Sequence, residues 1–431
     1  MKKVAFYTLG CKVNQYETEA MSELFLNSGY EITDYDSFAD IYVINTCTVT
    51  GMSDRKSRQI IRRAKKSNPD AFVIVAGCYS QVSPDEVLKI DGVNLVLGTK
   101  DRSDIVRLYE ENIKSEKKSK VEDIMKCHTF ENLSLSTFGD RTRAYIKIQE
   151  GCNQFCSYCK IPYARGPIRS RDFDEVIEET KRLSKKGFTE ITYVGIHIAS
   201  YGLDTKSKSL AELLVEANKI DGIKRLRLSS IEPMTLNEEF AQKIKGLDKL
   251  CPHFHLSLQS GCSETLKRMN RKYTTDEYFK IVDGLRHHFP EVAITTDIMV
   301  GFPGETDEEF EKTCAFAEKI AFADAHIFQY SPRPDTPAAK FENQVSPDVK
   351  EARSKKIMEI CAKSKRAFME RFLGDTKEVL FEQPVKNGYF EGKTANYQNV
   401  LVKTSEDLAG VYKNVLLKEI KGDNFIGEIM E

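Results

Sequence analysis

Three cysteines lie close together in residues 151–159, where Cys152, Cys156 and Cys159 have the spacing C-x3-C-x2-C. Thiolates this close can meet at one metal centre, and sulfur ligands suit iron–sulfur clusters or zinc. A structural zinc site usually takes its fourth ligand from a second close pair, and no such pair follows in the sequence. A cluster held by only three cysteines leaves one iron open to a reactant. The spacing therefore predicts a reaction centre rather than three buried structural thiols.

Three further cysteines, Cys11, Cys47 and Cys78, are 36 and 31 residues apart, about one crossover unit each. Each follows a short apolar run, and helix-like segments separate the runs, which predicts a parallel sheet with helices on both faces. The predicted strands are Val4–Leu9, Ile41–Asn45, Phe72–Ala76 and Asn94–Leu97. Carboxyl ends of parallel strands share one edge of a sheet, so these thiols can form a second metal site. The alternative is three small apolar residues that pack beneath loops.

Length and composition limit the class of protein. The chain has 431 residues and a formal net charge of −1, so we expect two to four domains and no attraction of the whole molecule to nucleic acid. We expect neither a secretory segment nor a membrane-spanning helix. The chain contains 11 cysteines, which in such a protein indicates metal or redox chemistry in the cytoplasm rather than disulfides.

Residues 55–66 carry seven basic side chains and no acidic one. On a helix, Arg55, Arg58, Arg62 and Lys66 share one face. Because the run follows Cys47, it could bind RNA phosphates near the second cysteine set. A solvated helix face is the alternative.

Residues 113–140 are polar and charged, and we interpret them as a linker. From residue 141 a longer alternation of strands and helices begins, which predicts a curved parallel sheet of six units, an incomplete barrel. The predicted strands are Ala144–Gln149, Glu190–Gly195, Lys224–Ser229, Phe254–Gln259, Ala293–Val300 and His326–Tyr330. Polar residues gather at their carboxyl ends, where barrel enzymes carry their chemistry.

From about residue 373 the pattern changes to five short strand-like runs, which predict a small β-barrel. Residues 373–431 contain seven Lys, no Arg and ten Asp plus Glu, so this part is net acidic. It would have to bind RNA through a local face, with Tyr389, Tyr397 or Tyr412 as stacking surfaces.

Several motifs resemble one enzyme family. The three-cysteine loop, with Tyr158 before its last cysteine, resembles the signature of radical S-adenosylmethionine (SAM) enzymes. Residues 9–17, 44–49 and 76–78 resemble the amino-terminal domain of methylthiotransferases, and the end of the chain resembles their TRAM domain. The resemblance implies an α/β protein with four parts: a flavodoxin-like domain at 1–112, a linker at 113–140, a partial (β/α)6 radical SAM barrel at 141–370 and a TRAM-like RNA-binding barrel at 371–431.

The resemblance also implies cofactors and their residues. Two [4Fe–4S] clusters would be held by Cys11, Cys47 and Cys78 and by Cys152, Cys156 and Cys159. SAM would contact strand-end residues of the barrel, which are Tyr158, Gly195, Ser229, Glu232, Gln259, Asp297 and Gly301. Loop capping and turn formation are the alternative roles for these residues. For RNA we name the basic residues Arg55, Arg58, Arg62, Lys66, Arg169 and Arg171.

The motif Cys11-Lys12-Val13-Asn14-Gln15-Tyr16-Glu17 is most similar to enzymes that methylthiolate N6-threonylcarbamoyladenosine at position 37 of tRNA. In that chemistry, a radical from SAM removes hydrogen from C2 of the adenine, and methylated sulfur then joins the base. The implied partners are a tRNA anticodon stem-loop and an electron donor such as a flavodoxin or ferredoxin, with the enzyme a monomer. The alternatives are isopentenyl-adenosine or a ribosomal protein aspartate as substrate, or an iron–sulfur RNA-binding or redox-sensing protein without catalysis.

Overall fold

This computed structural model describes residues 1–113, 117–133, 135 and 142–430. Part of the linker predicted at 113–140 (residues 114–116, 134 and 136–140), and residue 141, where the barrel is predicted to begin, lie outside this description.

The first part of the chain forms a six-stranded parallel sheet with the order β2-β1-β3-β4-β5-β6. Its strands are β1 (Lys3–Thr8), β2 (Glu31–Thr33), β3 (Ile41–Thr46), β4 (Phe72–Gly77), β5 (Leu95–Leu97) and β6 (Lys118–Lys120). The helices are α1 (Lys12–Asn27), α2 (Gly51–Ser67), α3 (Cys78–Val82), α4 (Pro84–Leu88) and α5 (Ile105–Asn112). The predicted parallel sheet is confirmed.

Two strands of this sheet, β2 and β6, were not predicted. Both are only three residues long and lie at the sheet edges, with little apolar content to reveal them. Residues 118–120, which lie in the predicted linker, pair with β5 as an edge strand. Hydrogen bonds between backbones hold this segment in the sheet, and a polar composition does not prevent them.

The second part of the chain is a curved, open barrel whose inner strands are parallel. Its strands are β7 (Ala144–Glu150), β8 (Arg169–Ser170), β9 (Glu190–Gly195), β10 (Arg225–Leu228), β11 (His253–His255), β12 (Ala293–Val300) and β13 (Asp324–Gln329). Single bridges Leu226–Leu250 and Ile231–Leu256 connect the sheet β10-β9-β7-β8 to the sheet β11-β12-β13. The predicted six-unit partial barrel is confirmed, with the short antiparallel strand β8 as an addition.

Helices cover the outer face of this barrel. They are α7 (Phe173–Lys185), α8 (Leu210–Asn218), α9 (Glu238–Ile244), α10 (Ser263–Arg268), α11 (Thr275–His288) and α12 (Asp307–Ile320), and α13 (Pro347–Glu370) follows the last strand. The short helix α6 (Ile161–Arg165) instead contacts α3 of the first part of the chain. Three of the helices begin with a capping box at Ser209, Thr274 and Thr306, which satisfies backbone N–H groups and fixes where each helix starts. One apolar core joins the helices to the outward side chains of the strands.

The last part of the chain is a closed five-stranded barrel with the order β14-β15-β16-β18-β17, as predicted. Its strands are β14 (Thr376–Val385), β15 (Tyr389–Thr394), β16 (Asn399–Lys403), β17 (Tyr412–Lys421) and β18 (Asn424–Ile429). Two of the proposed RNA-stacking residues are placed differently from the prediction. Tyr412 lies against Arg225 and accepts a hydrogen bond from the Thr189 hydroxyl, and Tyr397 stacks on His253, so both rings face the central barrel.

Within the described part of the chain, no helix combines the length and the apolar character that crossing a lipid bilayer requires.

Candidate active site

The loop that carries Cys152, Cys156 and Cys159 begins where β7 ends. Gly151 has a φ of +75°, and a Cβ at this position would lie 1.8 Å from the carbonyl oxygen of Pro167. Only glycine fits here without moving the backbone. The Cys152 N–H donates to the Gly166 carbonyl at 3.0 Å, so the loop is attached to the segment that follows it.

The end of α10 supports the other side of the loop. The Ser157 N–H donates to the Met269 carbonyl at 3.0 Å, and the Ser157 hydroxyl donates to the Arg268 carbonyl at 2.8 Å. The Asn270 side chain donates to the carbonyl of Phe155, which has a positive φ of +47°. These bonds hold an irregular backbone in place, as a site that binds a reactive group needs.

The three thiols of the loop face one another. Burial raises the pKa of Cys152 to about 11 and that of Cys159 to about 12, and neighbouring thiols of the set raise both further. The Arg271 guanidinium lies 3.5 Å from the Sγ of Cys156. Without a metal, the Cys152 and Cys159 thiols stay protonated at neutral pH. A bound metal and the Arg271 cation would stabilise the thiolate forms.

Arg271 was not predicted from the sequence. Its guanidinium also donates to the Glu232 carboxylate at 2.8 Å and to the Ser257 carbonyl at 3.1 Å. It therefore joins the cysteine loop to the predicted SAM residue Glu232. The sequence gives no sign that Arg271 belongs to this site, because it is 112 residues away from Cys159, the last cysteine of the loop.

Three polar atoms beside the loop are buried and have no hydrogen-bond partner among the described residues: Ser229 Oγ, Glu232 Oε1 and His197 Nδ1. A buried polar atom without a partner is costly, so native proteins rarely leave one unless a ligand or water completes it. The other ring nitrogen of His197, Nε2, lies 4.0 Å from Oε2 of Glu232, so these two side chains are neighbours. A ligand with amino, carboxylate and hydroxyl groups, such as SAM, fits this set.

The other predicted SAM residues are distributed around the same strand ends. The Tyr158 ring packs edge-on against Phe302 at 6.4 Å. Gln259 has a positive φ of +66°, and its backbone pairs with β12 through the Asp297 carbonyl at 2.8 Å. The Asp297 carboxylate lies 3.2 Å from His255 on the inner face of the barrel. Contact of these residues with SAM stays a prediction.

The structure gives two predicted glycines a packing reason. A Cβ at Gly195 would lie 2.7 Å from Ile198, and one at Gly301, which has a φ of +71°, would lie 2.3 Å from the Lys350 side chain. The Gly301 N–H donates to the Glu305 carboxylate at 2.6 Å. Their lack of a side chain is therefore explained by contacts within the protein, and ligand contact at both stays a prediction.

The second cysteine set lies at the carboxyl ends of the neighbouring strands β1, β3 and β4. A Cβ at Gly10 would lie 3.0 Å from the Sγ of Cys47, so the backbone before Cys11 is packed against that thiol. Burial raises the pKa of Cys78 to about 12, and the nearby Cys47 and Cys11 thiols raise it further. The three thiols are thus neighbours, as the positions of the strand ends predict.

No three His, Cys, Asp or Glu side chains in the described ranges converge as ligands of a single metal ion. A tetranuclear cluster does not require such convergence, because each cysteine binds a different iron and the sulfurs stand further apart. The donor set in both places consists of thiols alone, which suits an iron–sulfur cluster.

A buried network of charged side chains connects the second thiol set to residues that flank the three-cysteine loop in the chain. Arg165, at the end of the α6 helix that follows the three-cysteine loop, donates from Nε to the Sγ of Cys78 at 3.1 Å. Its guanidinium also pairs with Glu17 at 2.6 Å and with Glu150 at 3.1 Å. Lys147 completes the pairing of both carboxylates. Sequence reasoning missed Arg165, because its partners are distant in the chain.

The proposed RNA-binding residues divide into two groups. Arg169 and Arg171 are buried, and Arg169 donates to backbone carbonyls while Arg171 pairs with Glu179. Their assignment to RNA binding is wrong, because both guanidinium groups are buried and already bound to partners within the protein. On α2, Arg58 contacts Tyr79 and Glu86, whereas the other three basic residues of the face, Arg55, Arg62 and Lys66, are exposed.

Comparison with known proteins agrees with this geometry. Residues 146–317 match the radical SAM superfamily, and residues 3–98 match a group described as uncharacterized protein family UPF0004. The solved structure of TsrM from Kitasatospora setae, a radical SAM methyltransferase, aligns with a TM-score of 0.59 and 15% identity over 78% of this chain and 77% of that chain, a likeness of fold. Fold and cysteine loop together define a radical SAM enzyme, a class that uses SAM and a [4Fe–4S] cluster.

Curated relatives narrow this class. Threonylcarbamoyladenosine tRNA methylthiotransferase MtaB of Bacillus subtilis is 43% identical over 98% of this chain and 94% of its own length. The tRNA-2-methylthio-N(6)-dimethylallyladenosine synthase of Acetivibrio thermocellus is 35% identical over 98% of this chain and 90% of its own length. The chain belongs to the radical SAM tRNA methylthiotransferase family.

Proposed function

We propose that this enzyme converts N6-threonylcarbamoyladenosine at position 37 of tRNA to its 2-methylthio derivative. The observation that carries the proposal is the proximity of the thiols within each of two sets, Cys11/Cys47/Cys78 and Cys152/Cys156/Cys159. Arg165, from the segment after the three-cysteine loop, contacts Cys78 of the other set. The choice of base is supported by relatives named for threonylcarbamoyladenosine, which are 43% and 39% identical.

In this proposal each thiol set holds one [4Fe–4S] cluster. When bound, these groups and SAM supply the one-electron chemistry that activates C2 of the adenine and the sulfur that replaces its hydrogen. Every remaining task falls to the chain itself: to hold the ligands, to orient the base and to exclude water.

The residues beside the three-cysteine loop would orient SAM. The free oxygen of Glu232 and the hydroxyl of Ser229 are placed to accept hydrogen bonds, and Arg271 keeps the Glu232 carboxylate in position. Burial raises the pKa of Glu232 even though Arg271 opposes this effect. An ammonium group of a ligand would favour the carboxylate form and supply the missing partner.

The buried charges around Arg165 would hold the second thiol set in register with the first. Arg165 lies in the segment after the three-cysteine loop and touches Cys78, so both sets share one rigid support. Rigid support matters because a nucleoside placed between two reactive centres must reach both with little adjustment.

We further propose the tRNA anticodon stem-loop as substrate, with the exposed residues Arg55, Arg62 and Lys66 of α2 as phosphate contacts. A flavodoxin or ferredoxin would supply electrons, and the enzyme would act as a cytoplasmic monomer. The proposed domains are 1–112, 141–370 and 371–431, with 113–140 as the connection.

The first experiment counts clusters. The purified chain is reconstituted anaerobically, and iron and sulfide are measured in the wild type and in two triple Cys→Ala variants, one for each thiol set. We expect about eight irons in the wild type, as two [4Fe–4S] clusters require, and about four in each variant. About four irons in the wild type would reject the second cluster.

The second experiment tests the substrate. Nucleosides of tRNA from cells with and without the gene are analysed by mass spectrometry, and we expect 2-methylthio-N6-threonylcarbamoyladenosine to disappear in the deletion strain. An unchanged level would reject the proposal.

A second candidate substrate is N6-dimethylallyladenosine, because relatives named for it are 35% and 36% identical over 98% and 100% of this chain. Loss of its methylthio derivative in the deletion strain would favour that substrate. Turnover of an aspartate-containing ribosomal peptide, or a reconstituted protein that cleaves no SAM under reductant, would favour the remaining alternatives.

A further inference from the structure

Lys12 is the residue next to Cys11 and the first residue of α1. Its ammonium lies 5.9 Å from the centre of the Tyr397 ring, which belongs to the carboxyl-terminal barrel. Among the residues that the structure describes, Lys12 has no carboxylate partner and no side-chain hydrogen bond. A partly buried lysine is ordinarily paired with an acidic group, because an unpaired charge is costly to desolvate. The Lys12 ammonium is therefore a candidate binding site for an anionic ligand.

Contacts with the central barrel fix the position of Tyr397. It occupies the turn between β15 and β16 with a φ of +70°. Arg227 of the central barrel fixes this turn by donating to the Thr394 and Ala395 carbonyls at 2.9 and 2.8 Å. The Tyr397 ring stacks on His253 of β11 at 4.7 Å, with 14° between the planes. Lys12 therefore lies beside an aromatic ring whose position the central barrel fixes.

Positive charge is in surplus around this ring. Arg143, Arg227 and Lys393 lie 5.5, 4.9 and 4.5 Å from its centre, in addition to Lys12. The facing acidic groups are already engaged: Glu190 pairs with Arg227 and Arg143, and Glu382 pairs with Arg143. Lys393 donates to the Asn399 side chain and is also influenced by Glu391 on its own strand. Lys12 is the cation that these groups leave without a counter-charge.

Several side chains of β12 and β13 are only partly buried or exposed. In the register of β12 and β13, Asp297 pairs with His326 and Met299 pairs with Phe328. The Phe328 side chain is 46% exposed although it belongs to a strand of the sheet. Phe328 lies on β13, the edge strand of the sheet β11-β12-β13. An exposed aromatic ring at this edge offers a stacking surface to a base.

We propose that Lys12 binds the carboxylate of the threonyl group on the substrate base and thereby selects threonylcarbamoyladenosine over adenosines with uncharged N6 substituents. The inference rests on the proposed function and specifies the recognition of its substrate. A carboxylate supplies the counter-charge that Lys12 lacks, whereas a dimethylallyl group would leave the partly buried ammonium without a partner. Because Lys12 is bonded to Cys11, the substrate would be held within one side-chain length of the second thiol set.

Binding of anticodon stem-loops to the full-length, reconstituted protein tests this inference. Fluorescence anisotropy is measured with three RNAs, which carry threonylcarbamoyladenosine, its carboxyl methyl ester or unmodified adenosine at position 37. The proteins are the wild type, Lys12→Met, Lys12→Arg and a control, Lys363→Met, which removes one exposed charge from α13. Thermal unfolding confirms that all four proteins are folded.

We expect Lys12→Met to weaken binding of the carboxylate RNA about 10-fold, the order of a charge-assisted hydrogen bond, and to change binding of the ester RNA by less than about 2-fold. Lys12→Arg should retain most of the preference for the carboxylate, and Lys363→Met should affect all three RNAs equally. An equal loss on the three RNAs would assign Lys12 to a backbone phosphate and overturn the inference, as would no loss at all.

The inference and the proposed function fail in different ways. If the wild type forms the methylthio product from threonylcarbamoyl tRNA but Lys12→Met does not distinguish carboxylate from ester, the role of Lys12 is rejected and the function stands. If the wild type forms no such product, the proposed function is rejected whatever Lys12 binds.

Discussion

Arg165 donates a hydrogen bond to the sulfur of Cys78 across 3.1 Å, although the two residues are 87 positions apart. The same guanidinium is fully buried and pairs with Glu17 and Glu150. One side chain therefore touches the second thiol set while it follows directly after the loop of the first. This contact ties the geometry of the two sets together.

Replacement of Arg165 by Met should destabilise the protein by about 3 kcal/mol, because Glu17 and Glu150 lose a partner in the interior. It should also reduce the iron bound by Cys11, Cys47 and Cys78. Urea unfolding and iron analysis after anaerobic reconstitution measure the two effects.

The matched control is Arg171→Met, which breaks another buried pair, with Glu179, away from the thiols. It should lose comparable stability and keep its iron. Equal iron loss in both variants would mean that Arg165 acts only through stability.

Replacement of Gly151 by Ala should disrupt the three-cysteine loop. The new Cβ would lie 1.8 Å from the Pro167 carbonyl oxygen at a φ of +75°, so the backbone must shift. Gly187→Ala is the control, since Gly187 also has a positive φ, +92°, but no atom lies within 4 Å of its Cβ position.

The control should cost about 1 kcal/mol, the penalty of a left-handed conformation alone. Gly151→Ala should cost more than this and lower the iron content of the first set, as denaturant unfolding and iron analysis would show. Similar stability losses in both variants would contradict the steric argument.

Replacement of Arg333 by Gln should loosen the contact between the central barrel and the first domain. Arg333 is buried and donates to Thr48 at 2.8 Å and to Asp54 at 2.5 Å, both just beyond Cys47. Loss of the cation leaves the Asp54 carboxylate largely buried and unpaired, so we expect about 3 kcal/mol of destabilisation.

The control for Arg333 is Lys160→Met, because the partner of Lys160, Asp335, is 89% exposed. A pair of this kind contributes less than about 1 kcal/mol. Limited proteolysis near residues 331–337, together with urea unfolding, should show faster cleavage in Arg333→Gln than in the control. The same cleavage rate in both would refute the role of this contact.

Acid should destabilise the protein through His197. Burial, with the nearby Arg271 cation, lowers the pKa of His197 to about 4 from its ordinary value near 6.5. Between these two pH values the unfolded chain binds a proton that the folded chain does not, so stability falls as pH decreases through this window.

The measurement compares urea unfolding of the metal-free, reduced wild type and His197→Asn at pH 7 and pH 5. We expect the wild type to lose up to about 2 kcal/mol more than the variant over this interval. Parallel losses in the two proteins would show that His197 does not titrate in this way.

Much of the architecture could be predicted from periodicity alone. Apolar runs separated by helical segments predicted the parallel sheet and the partial barrel, and alternating short runs predicted the final β-barrel. The prediction failed where a segment is polar and short, as at β6, since backbone pairing leaves little trace in composition.

The six cysteines were also predicted, because their chemistry is specific and because strand ends of a parallel sheet must meet at one edge. The partners of the cysteines were not. Arg165, Arg271 and Arg333 are ordinary arginines in the sequence, and their contacts cross 87, 115 and 279 residues.

The sequence by itself thus determined which atoms can bind metal and which strands carry them, since both depend on residue type and local spacing. Only the tertiary structure decided which basic side chains are paired inside the protein and which remain available to a ligand. Arg169 and Arg171 became internal partners, whereas Lys12 pairs with no carboxylate among the described residues, because pairing in the interior depends on which side chains the fold brings within reach.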